Sequence, residues 1–210
     1  MSKIKKWKLL GSTLAFDNPW YKVRQDKVQL PDGKIIDDFF VSLHPDVVLV
    51  FPVTRDNQVV FVRQYKHGAG EILLELPAGT YDKNREDPQT AARRELLEET
   101  GFKAKMLISL GKIQDYPTKD THKISLFIAP SVEYVGRRHA EPTEHIEVIK
   151  FSLRKVLELA YSGKLKASST VAATFLAIEH LKCHPKSIST TLKMQMLSIQ
   201  YVQVATCNPS

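Results

Sequence analysis

The amino-terminal third of the chain consists of short apolar, β-branched runs separated by turn signals. Two runs flank the turn Pro31-Asp32-Gly33 within residues 21–43, and two more, VVLVFPV and QVVFVRQY, flank the turn at residues 55–57. Proline presets φ for a turn and glycine tolerates positive φ, so this pattern predicts two β-hairpins. A further run, EILLELP, precedes PAGTYDKNRED, which we expect to be a loop.

The segment from Asp87 to Gly101 carries the clearest helix signals. Asp87 is a good N-cap, Pro88 suits the first helical position, and Gly101 can close the helix in the left-handed conformation. The other predicted elements are β-type runs at 106–113, 124–132 and 146–151, then helices at 152–161 and 168–183. Strands on both sides of a mid-chain helix predict an α+β domain whose helices cover a mixed or antiparallel sheet.

The charge distribution argues against a nucleic-acid-binding fold. The 210-residue chain has a formal net charge of +7, and its two ends carry seven lysines and no acidic residue. Subtracting these seven from 30 leaves 23 basic and 23 acidic side chains in residues 11–181. Because binding of nucleic acid needs cations clustered on the domain itself, we do not expect nucleic acid as the primary partner.

Cysteine content and hydropathy favour a cytoplasmic protein. Cys183 and Cys207 are the chain's two cysteines, which excludes a disulfide framework and fits a reducing compartment. The longest apolar run, 47–53, is far shorter than the roughly 18 residues that a membrane span needs. Lys8 interrupts the apolar stretch near the start of the chain, so we expect no secretory signal.

Three glutamates of the predicted mid-chain helix share one face. Glu95, Glu98 and Glu99 stand at i, i+3 and i+4, within an arc of about 100°. Like charges packed so closely repel, and a hard divalent cation with oxygen ligands would make the arrangement favourable. Ala91 and Ala92 fall in the same arc, so we expect a low surface that a ligand can approach. The competing interpretation is a solvated acidic face with a salt bridge.

Two more charged residues lie on or beside this helix. Arg94 lies four residues before Glu98 and is expected to bridge to it. Glu86, just before the cap, adds a carboxylate near the positive end of the helix.

The segment 79–102 resembles the signature box of the Nudix hydrolases. The family pattern is Gly, five residues, Glu, seven residues, then Arg-Glu-aliphatic-x-Glu-Glu-x-Gly-aliphatic. The second half is matched from Arg94 to Phe102, whereas six residues separate Gly79 from Glu86, an insertion of one. The resemblance implies a Nudix fold, a mixed β-sheet sandwiched between helices, here with amino-terminal antiparallel strands.

The Nudix resemblance also implies a metal site and a reaction. The reaction is hydrolysis of a nucleoside diphosphate linked to another group, with Mg²⁺, or alternatively Mn²⁺, as the cofactor. Glu95, Glu98 and Glu99 would bind the metal together with the carbonyl of Ala78, and Arg94 would orient the glutamates. Because they would bind the metal and orient its ligands, Glu98 and Arg94 are predicted to be catalytic residues. Glu86 is a less secure ligand because of the insertion.

The flanking sequence is similar to the ADP-ribose pyrophosphatase branch of that family. Its V-R-Q-Y-basic strand and its E-L-P-A-G run both precede the helix, and Pro117 lies 16 residues beyond the box glycine, as is common in the branch. The resemblance implies that Arg63 and Lys66 approach the diphosphate, although an exposed strand face is the alternative. The branch usually has Arg where this chain has Lys66, which loses the bidentate fork. Trp20 would stack on the base, or else be a core or interface aromatic.

The general base is predicted in the segment PTEHIEVIKF. Glu144 best matches the family position of a loop carboxylate before a strand, and Glu147 is the alternative. A catalytic role for His145 is not favoured, because a lone histidine that begins a strand is more often structural.

The sequence thus predicts three regions and one activity. Residues 1–45 would be an amino-terminal strand region and dimerisation arm, 46–183 the Nudix hydrolase domain, and 184–210 an unassigned tail. The predicted enzyme is a homodimer that cleaves ADP-ribose or a related nucleoside diphosphate sugar into a nucleoside monophosphate and a sugar phosphate. The alternatives are a hydrolase of another nucleoside diphosphate derivative, such as a GDP-sugar, and an inactive Nudix-fold binding protein.

Overall fold

The structure is a computed structural model that describes residues 3–136 and 145–184. These residues form two compact units. The first contains the chain up to Asp46 together with residues 114–123, and the second contains the remainder. The predicted base Glu144 and the tail from residue 185 lie outside the described residues.

The first unit is a three-stranded antiparallel sheet in the order β1-β2-β3, formed by β1 (Lys8–Asn18), β2 (Tyr21–Gln29) and β3 (Ile35–Leu43). The predicted hairpin is present, and Gly33 adopts φ 92° in its turn. β1 was not predicted, because all of its residues but the last are exposed and its sequence shows no alternation of apolar and polar positions.

Residues 114–123 join this unit through β3, which local sequence does not predict. The Ser42 N–H donates to the Lys119 carbonyl at 2.8 Å, and the Thr121 N–H donates to the Ser42 carbonyl at 3.3 Å. Pro117 lies in this segment and is exposed.

Eight strands of the described residues form the sheet of the second unit. They are β4 (Asp46–Thr54), β5 (Gln58–Lys66), β6 (Glu71–Glu75), β7 (Ala78–Tyr81), β8 (Phe102–Ala104), β9 (Ile108–Ile113), β10 (Ile124–Tyr134) and β11 (Glu147–Ser152). The order is β11-β5-β4-β10-β8, with β6 on β5, β7 on β4 and β9 on β10. β4 and β10 run parallel, whereas β11 and β5 run antiparallel, so the sheet is mixed as predicted.

The prediction of a continuous loop from Pro77 to Asp87 was wrong for residues 78–81. These four residues form β7, which pairs with β4, and Tyr81 is buried in the core beside the first helix. Strand pairing and burial therefore override the turn-rich composition of this stretch.

The helices α1 (Pro88–Thr100), α2 (Leu153–Tyr161) and α3 (Ser168–Cys183) cover the two faces of the large sheet. Alternate residues of the central strands face opposite sides. Phe51 and Phe61 pack under α2 and α3, whereas Val50 and Val60 pack under α1. The predicted α+β class, with the sheet sandwiched between helices, is confirmed.

Candidate active site

The caps of α1 are those that the sequence predicts. The Asp87 carboxylate accepts hydrogen bonds from the N–H groups of Gln89 (2.9 Å) and Thr90 (3.2 Å). The Thr90 hydroxyl is the largest cause of the lowered pKa of Asp87. Gly101 closes the helix at φ 75°, and its N–H donates to the Leu97 carbonyl at 2.8 Å. These local bonds fix where the glutamate-bearing helix begins and ends.

The face of α1 that packs on the sheet is apolar. Ala91, Ala92 and Leu96 are fully buried against strands of the large sheet. The prediction that Ala91 and Ala92 form a low exposed surface beside the carboxylates was wrong. Their small side chains instead allow the helix to lie close to the sheet.

Arg94 joins three carboxylates of the box. Its guanidinium contacts Glu86 at 3.0 Å, Glu95 at 2.7 Å and Glu98 at 3.0 Å, and the last contact is the predicted bridge. The pKa of Arg94 is raised, first by the hydrogen bond to Glu86 and then by those to Glu95 and Glu98. Arg94 thus offsets the repulsion among these carboxylates and holds them in place.

Gly79 provides the space that the Glu95 carboxylate occupies. A Cβ at position 79 would lie 2.0 Å from Glu95 Cδ and 2.2 Å from each carboxylate oxygen. Real Cβ atoms do not approach other atoms so closely. The glycine that begins the box is therefore required by packing, because β7 passes directly under the Glu95 side chain.

The other two helix glutamates differ in burial. Glu99 is 4% exposed, and its Oε2 accepts the Ala78 N–H at 3.0 Å. The Glu98 side chain is 36% exposed. The helix face on which the sequence places all three carboxylates therefore has a buried carboxylate against β7 and a partly exposed one beside Arg94.

The donor chemistry of this cluster fits a divalent cation. Carboxylate oxygens are the ligands that Mg²⁺ and Mn²⁺ prefer, and α1 carries three carboxylates, of which Glu99 contacts the backbone of Ala78. Within residues 3–136 and 145–184, no group of three or more His, Cys, Asp or Glu side chains is arranged as a metal site. Glu95 and Glu98 instead contact the Arg94 guanidinium, and Glu99 accepts the Ala78 N–H.

Arg63 and Lys66, both predicted to approach the diphosphate, lie on opposite faces of β5. Arg63 shares the strand parity of Phe61, which packs under α2 and α3, whereas Lys66 shares that of Val60, under α1. The Arg63 Nε donates to Glu147 on β11 at 2.9 Å. The structure does not bring the two cations together, and Lys66 is the one on the α1 face.

Glu75 was not singled out from the sequence. Its carboxylate lies 3.2 Å from Lys66 Nζ, and its side chain is 21% exposed. Neither the spacing of nine positions nor the register of β5 with β6 predicts the contact, because the register pairs Lys66 with Glu71 and Glu75 with Val62.

The remaining predicted residues are placed as follows. Trp20 belongs to the first unit and is 92% exposed, so it is not a core aromatic. Glu147, the alternative base, forms the ion pair with Arg63, and His145 is exposed. Glu144 remains a prediction because it lies outside the described residues.

Comparison with known proteins identifies the family. The family model of the NUDIX domain matches residues 43–171. The chain belongs to the Nudix family. Residues 7–42 match a second model, the nucleoside diphosphate sugar hydrolase N-terminal domain. The sequence-based identification of a Nudix hydrolase is thereby confirmed.

Two curated relatives and one solved structure illustrate the likeness. The chain is 29% identical to a methanol dehydrogenase activator of Bacillus methanolicus, over 82% of this chain and 93% of the relative. It is 30% identical to an ADP-ribose pyrophosphatase of Bacillus subtilis (strain 168), over 70% and 80%. A crystal structure of an ADP compounds hydrolase matches with a TM-score of 0.77 at 23% identity, covering 88% of this chain and 98% of that one, and shows the same fold.

No helix of the described residues is long and apolar enough to cross a membrane.

Proposed function

We propose that this Nudix protein hydrolyses the diphosphate bond of ADP-ribose, or of a related nucleoside diphosphate sugar, to a nucleoside monophosphate and a sugar phosphate. The observation that carries the proposal is the convergence of Glu86, Glu95 and Glu98 on Arg94, beside the buried Glu99. The likeness to a protein named ADP-ribose pyrophosphatase supports ADP-ribose as the first substrate to test. Another substrate of the class, such as a GDP-sugar, is second, because pocket shape sets base and sugar selectivity.

Nudix hydrolases generally use divalent metal cations, and we propose Mg²⁺ here, with Mn²⁺ as the alternative. Glu95, Glu98 and Glu99 would hold the cation, together with the Ala78 carbonyl. A bound cation polarises the diphosphate and neutralises charge that develops on its oxygens.

Four roles fall to other residues of the chain. Arg94 positions the glutamates through its three contacts. Lys66, on the α1 face, binds the diphosphate as a point charge, and Trp20 stacks on the base. Glu144 takes the proton from the attacking water. Glu147 is the poorer candidate for this role because it is paired with Arg63.

We further propose that the enzyme works as a cytoplasmic homodimer, with residues 1–45 as the dimerisation arm. The match of residues 7–42 to the nucleoside diphosphate sugar hydrolase N-terminal domain supports a distinct role for this region. Sedimentation at micromolar concentration would test the dimer. The full chain should sediment as a dimer, and a variant that lacks residues 1–45 should sediment as a monomer.

The primary experiment measures AMP release from ADP-ribose with and without Mg²⁺. Wild type should be active only with the cation, and Glu98→Gln should lose at least 100-fold in kcat, because it removes a carboxylate at the site. Glu179→Gln, an exposed glutamate on α3, is the matched control and should retain activity. If wild type and Glu98→Gln were equally inert on a panel of nucleoside diphosphate sugars, the inactive binding protein would be the better reading.

The base assignment needs its own pair of variants. Glu144→Gln should lose most turnover while Mg²⁺ binding is retained, whereas Glu147→Gln should keep turnover within a few fold. Mg²⁺ binding can be followed by calorimetry. The reverse ranking of the two variants would move the base to Glu147.

A further inference from the structure

A backbone corner between β6 and β7 carries the carbonyl that is proposed above as a metal ligand. Leu76 and Pro77 follow the end of β6 at Glu75, and Ala78 begins β7. Leu76 is 1% exposed, so its N–H needs a hydrogen-bond partner inside the protein. Residues 76–78 are called the β6–β7 corner below, and three neighbouring elements hold it.

Two of these elements are β4 and α1. The Val50 N–H of β4 donates to the Pro77 carbonyl at 2.9 Å. The Ala78 N–H donates to the Glu99 carboxylate of α1 at 3.0 Å. These two bonds fix the middle and the end of the β6–β7 corner.

The start of the corner is held by Thr170, the third residue of α3. Its Oγ1 accepts the Leu76 N–H at 3.2 Å, across 94 positions of the chain. Thr170 is itself 1% exposed, so the bond lies in the interior of the protein. Because α3 covers the sheet face opposite α1, this bond can reach the glutamate cluster only through the backbone of the corner.

A second threonine of α3 separates this hydrogen bond from simple burial. Thr174, one turn further along the helix, is fully buried, and its Oγ1 has no hydrogen-bond partner among the described residues. Burial of a threonine on α3 therefore does not by itself supply a hydrogen bond. If Thr170 only filled space in the core, valine would replace it with little effect, because the two side chains have nearly the same shape.

We propose that Thr170 is a positioning residue for the divalent cation, because it fixes the corner whose Ala78 carbonyl would bind the metal. The inference rests on the metal site of the proposed function. Loss of the hydroxyl leaves the buried Leu76 N–H without its partner, and the corner must shift or admit water to satisfy it. Substitution of groups that hold metal ligands in place typically weakens metal binding by about 10- to 100-fold.

The test measures Mn²⁺ binding to the full-length protein by electron paramagnetic resonance, without substrate. Thr170→Val should weaken the binding about tenfold. Thr170→Ala, which also lacks the hydroxyl and adds no bulk, should weaken it similarly. Thr170→Ser keeps the hydroxyl and should bind within about twofold of wild type. Thr174→Val is the matched control, because it removes a buried hydroxyl of the same helix that has no partner among the described residues, and it should also stay within about twofold.

Activity gives a second readout that a purely structural role would not produce. In Thr170→Val, the Mg²⁺ concentration for half-maximal AMP release from ADP-ribose should rise about tenfold, whereas kcat at saturating Mg²⁺ should stay within about twofold. Partial unfolding would have the opposite signature, since it would lower the apparent kcat and leave the Mg²⁺ requirement of the remaining folded enzyme unchanged.

The outcomes separate this inference from the proposed function. Equal Mn²⁺ affinity in wild type and Thr170→Val would overturn the inference and leave the proposed hydrolysis intact, and so would equal weakening in Thr174→Val. If ADP-ribose were not hydrolysed but the Mn²⁺ affinities followed the expected order, the proposed function would fail and the inference would stand. Absence of Mn²⁺ binding by wild type would overturn both, because both rest on the metal site.

Discussion

Gly79→Ala isolates the contact that places the Glu95 carboxylate. The added Cβ would lie 2.0 Å from Glu95 Cδ, whereas ordinary contacts span 3.4–4 Å, so the carboxylate must move by more than about 1 Å. The movement breaks the 2.7 Å bond from Arg94 to Glu95. The carboxylate is the mobile end of a side chain, and the backbone can therefore stay in place.

The expected effects on stability and on activity differ in size. A charge-assisted hydrogen bond is worth about 1.5–3 kcal/mol when buried, and partial exposure of both side chains reduces this to about 1–2 kcal/mol of unfolding free energy. A catalytic group displaced by about 1 Å can cost about 100-fold in turnover. We therefore expect a modest fall in Tm and a fall in kcat of about 100-fold for AMP release from ADP-ribose.

A double-mutant cycle tests the reason for the effect. In a Glu95→Ala background the new Cβ meets no carboxylate, so adding Gly79→Ala should change kcat less than about twofold. Gly68→Ala is the matched control because no atom lies within 4 Å of its added Cβ. A further 100-fold loss in the Glu95→Ala background would refute the reasoning, since the defect would then lie in the backbone of β7. Normal turnover of Gly79→Ala alone would refute it as well.

Three other predictions follow from the contacts of α1 and β5. Arg94→Gln should lower the Tm measured in chelator, and Mg²⁺ should restore part of the lost Tm because the cation then replaces the guanidinium among the carboxylates. An increase in Tm with Mg²⁺ equal to that of wild type would contradict this. Asp87→Asn should be more destabilising at pH 6 than at pH 3. Because the pKa of Asp87 is lowered in the folded protein, the stabilisation by its carboxylate is full above about pH 3.8 and is lost as the pH falls further. A difference in Tm between wild type and variant that does not change with pH would count against this prediction. Lys66→Gln should raise KM for ADP-ribose about tenfold and Arg63→Gln should raise it less than about threefold, because the two residues face opposite sides of β5. Equal KM values for the two variants would show that the face of β5 does not determine which cation binds the substrate.

Local signals were sufficient for α1 and insufficient for β1. The cap at Asp87, the proline after it and the glycine at 101 act within a few residues, so they can be read without tertiary information. Almost all residues of β1 are exposed in this chain. An alternation of apolar and polar residues arises where one face of a strand is buried, so β1 lacks the pattern that would predict it. The union of residues 114–123 with β3 depends on pairing across about 80 positions, which local sequence does not encode.

The alternation of side chains along β5 explains why the sequence could not assign the substrate-binding cation. Arg63 and Lys66 are three residues apart in a regular strand, so they must point to opposite faces. The sequence alone shows that the two residues face opposite sides, but only the structure shows which side faces α1. The structure then shows which face carries α1, and it places Glu75 beside Lys66.

The adjacent glutamates at 98 and 99 show why helical spacing alone cannot assign roles in this cluster. Spacing put both in one arc with Glu95, but a step of about 100° turns Glu99 into β7, where it binds the Ala78 N–H, and leaves Glu98 partly exposed beside Arg94. Replacing Glu99 would disturb a buried contact between helix and strand as well as any bound cation, so lost activity would have two causes. Replacing Glu98 disturbs mainly the charge at the site, and it is therefore the substitution that separates chemistry from folding.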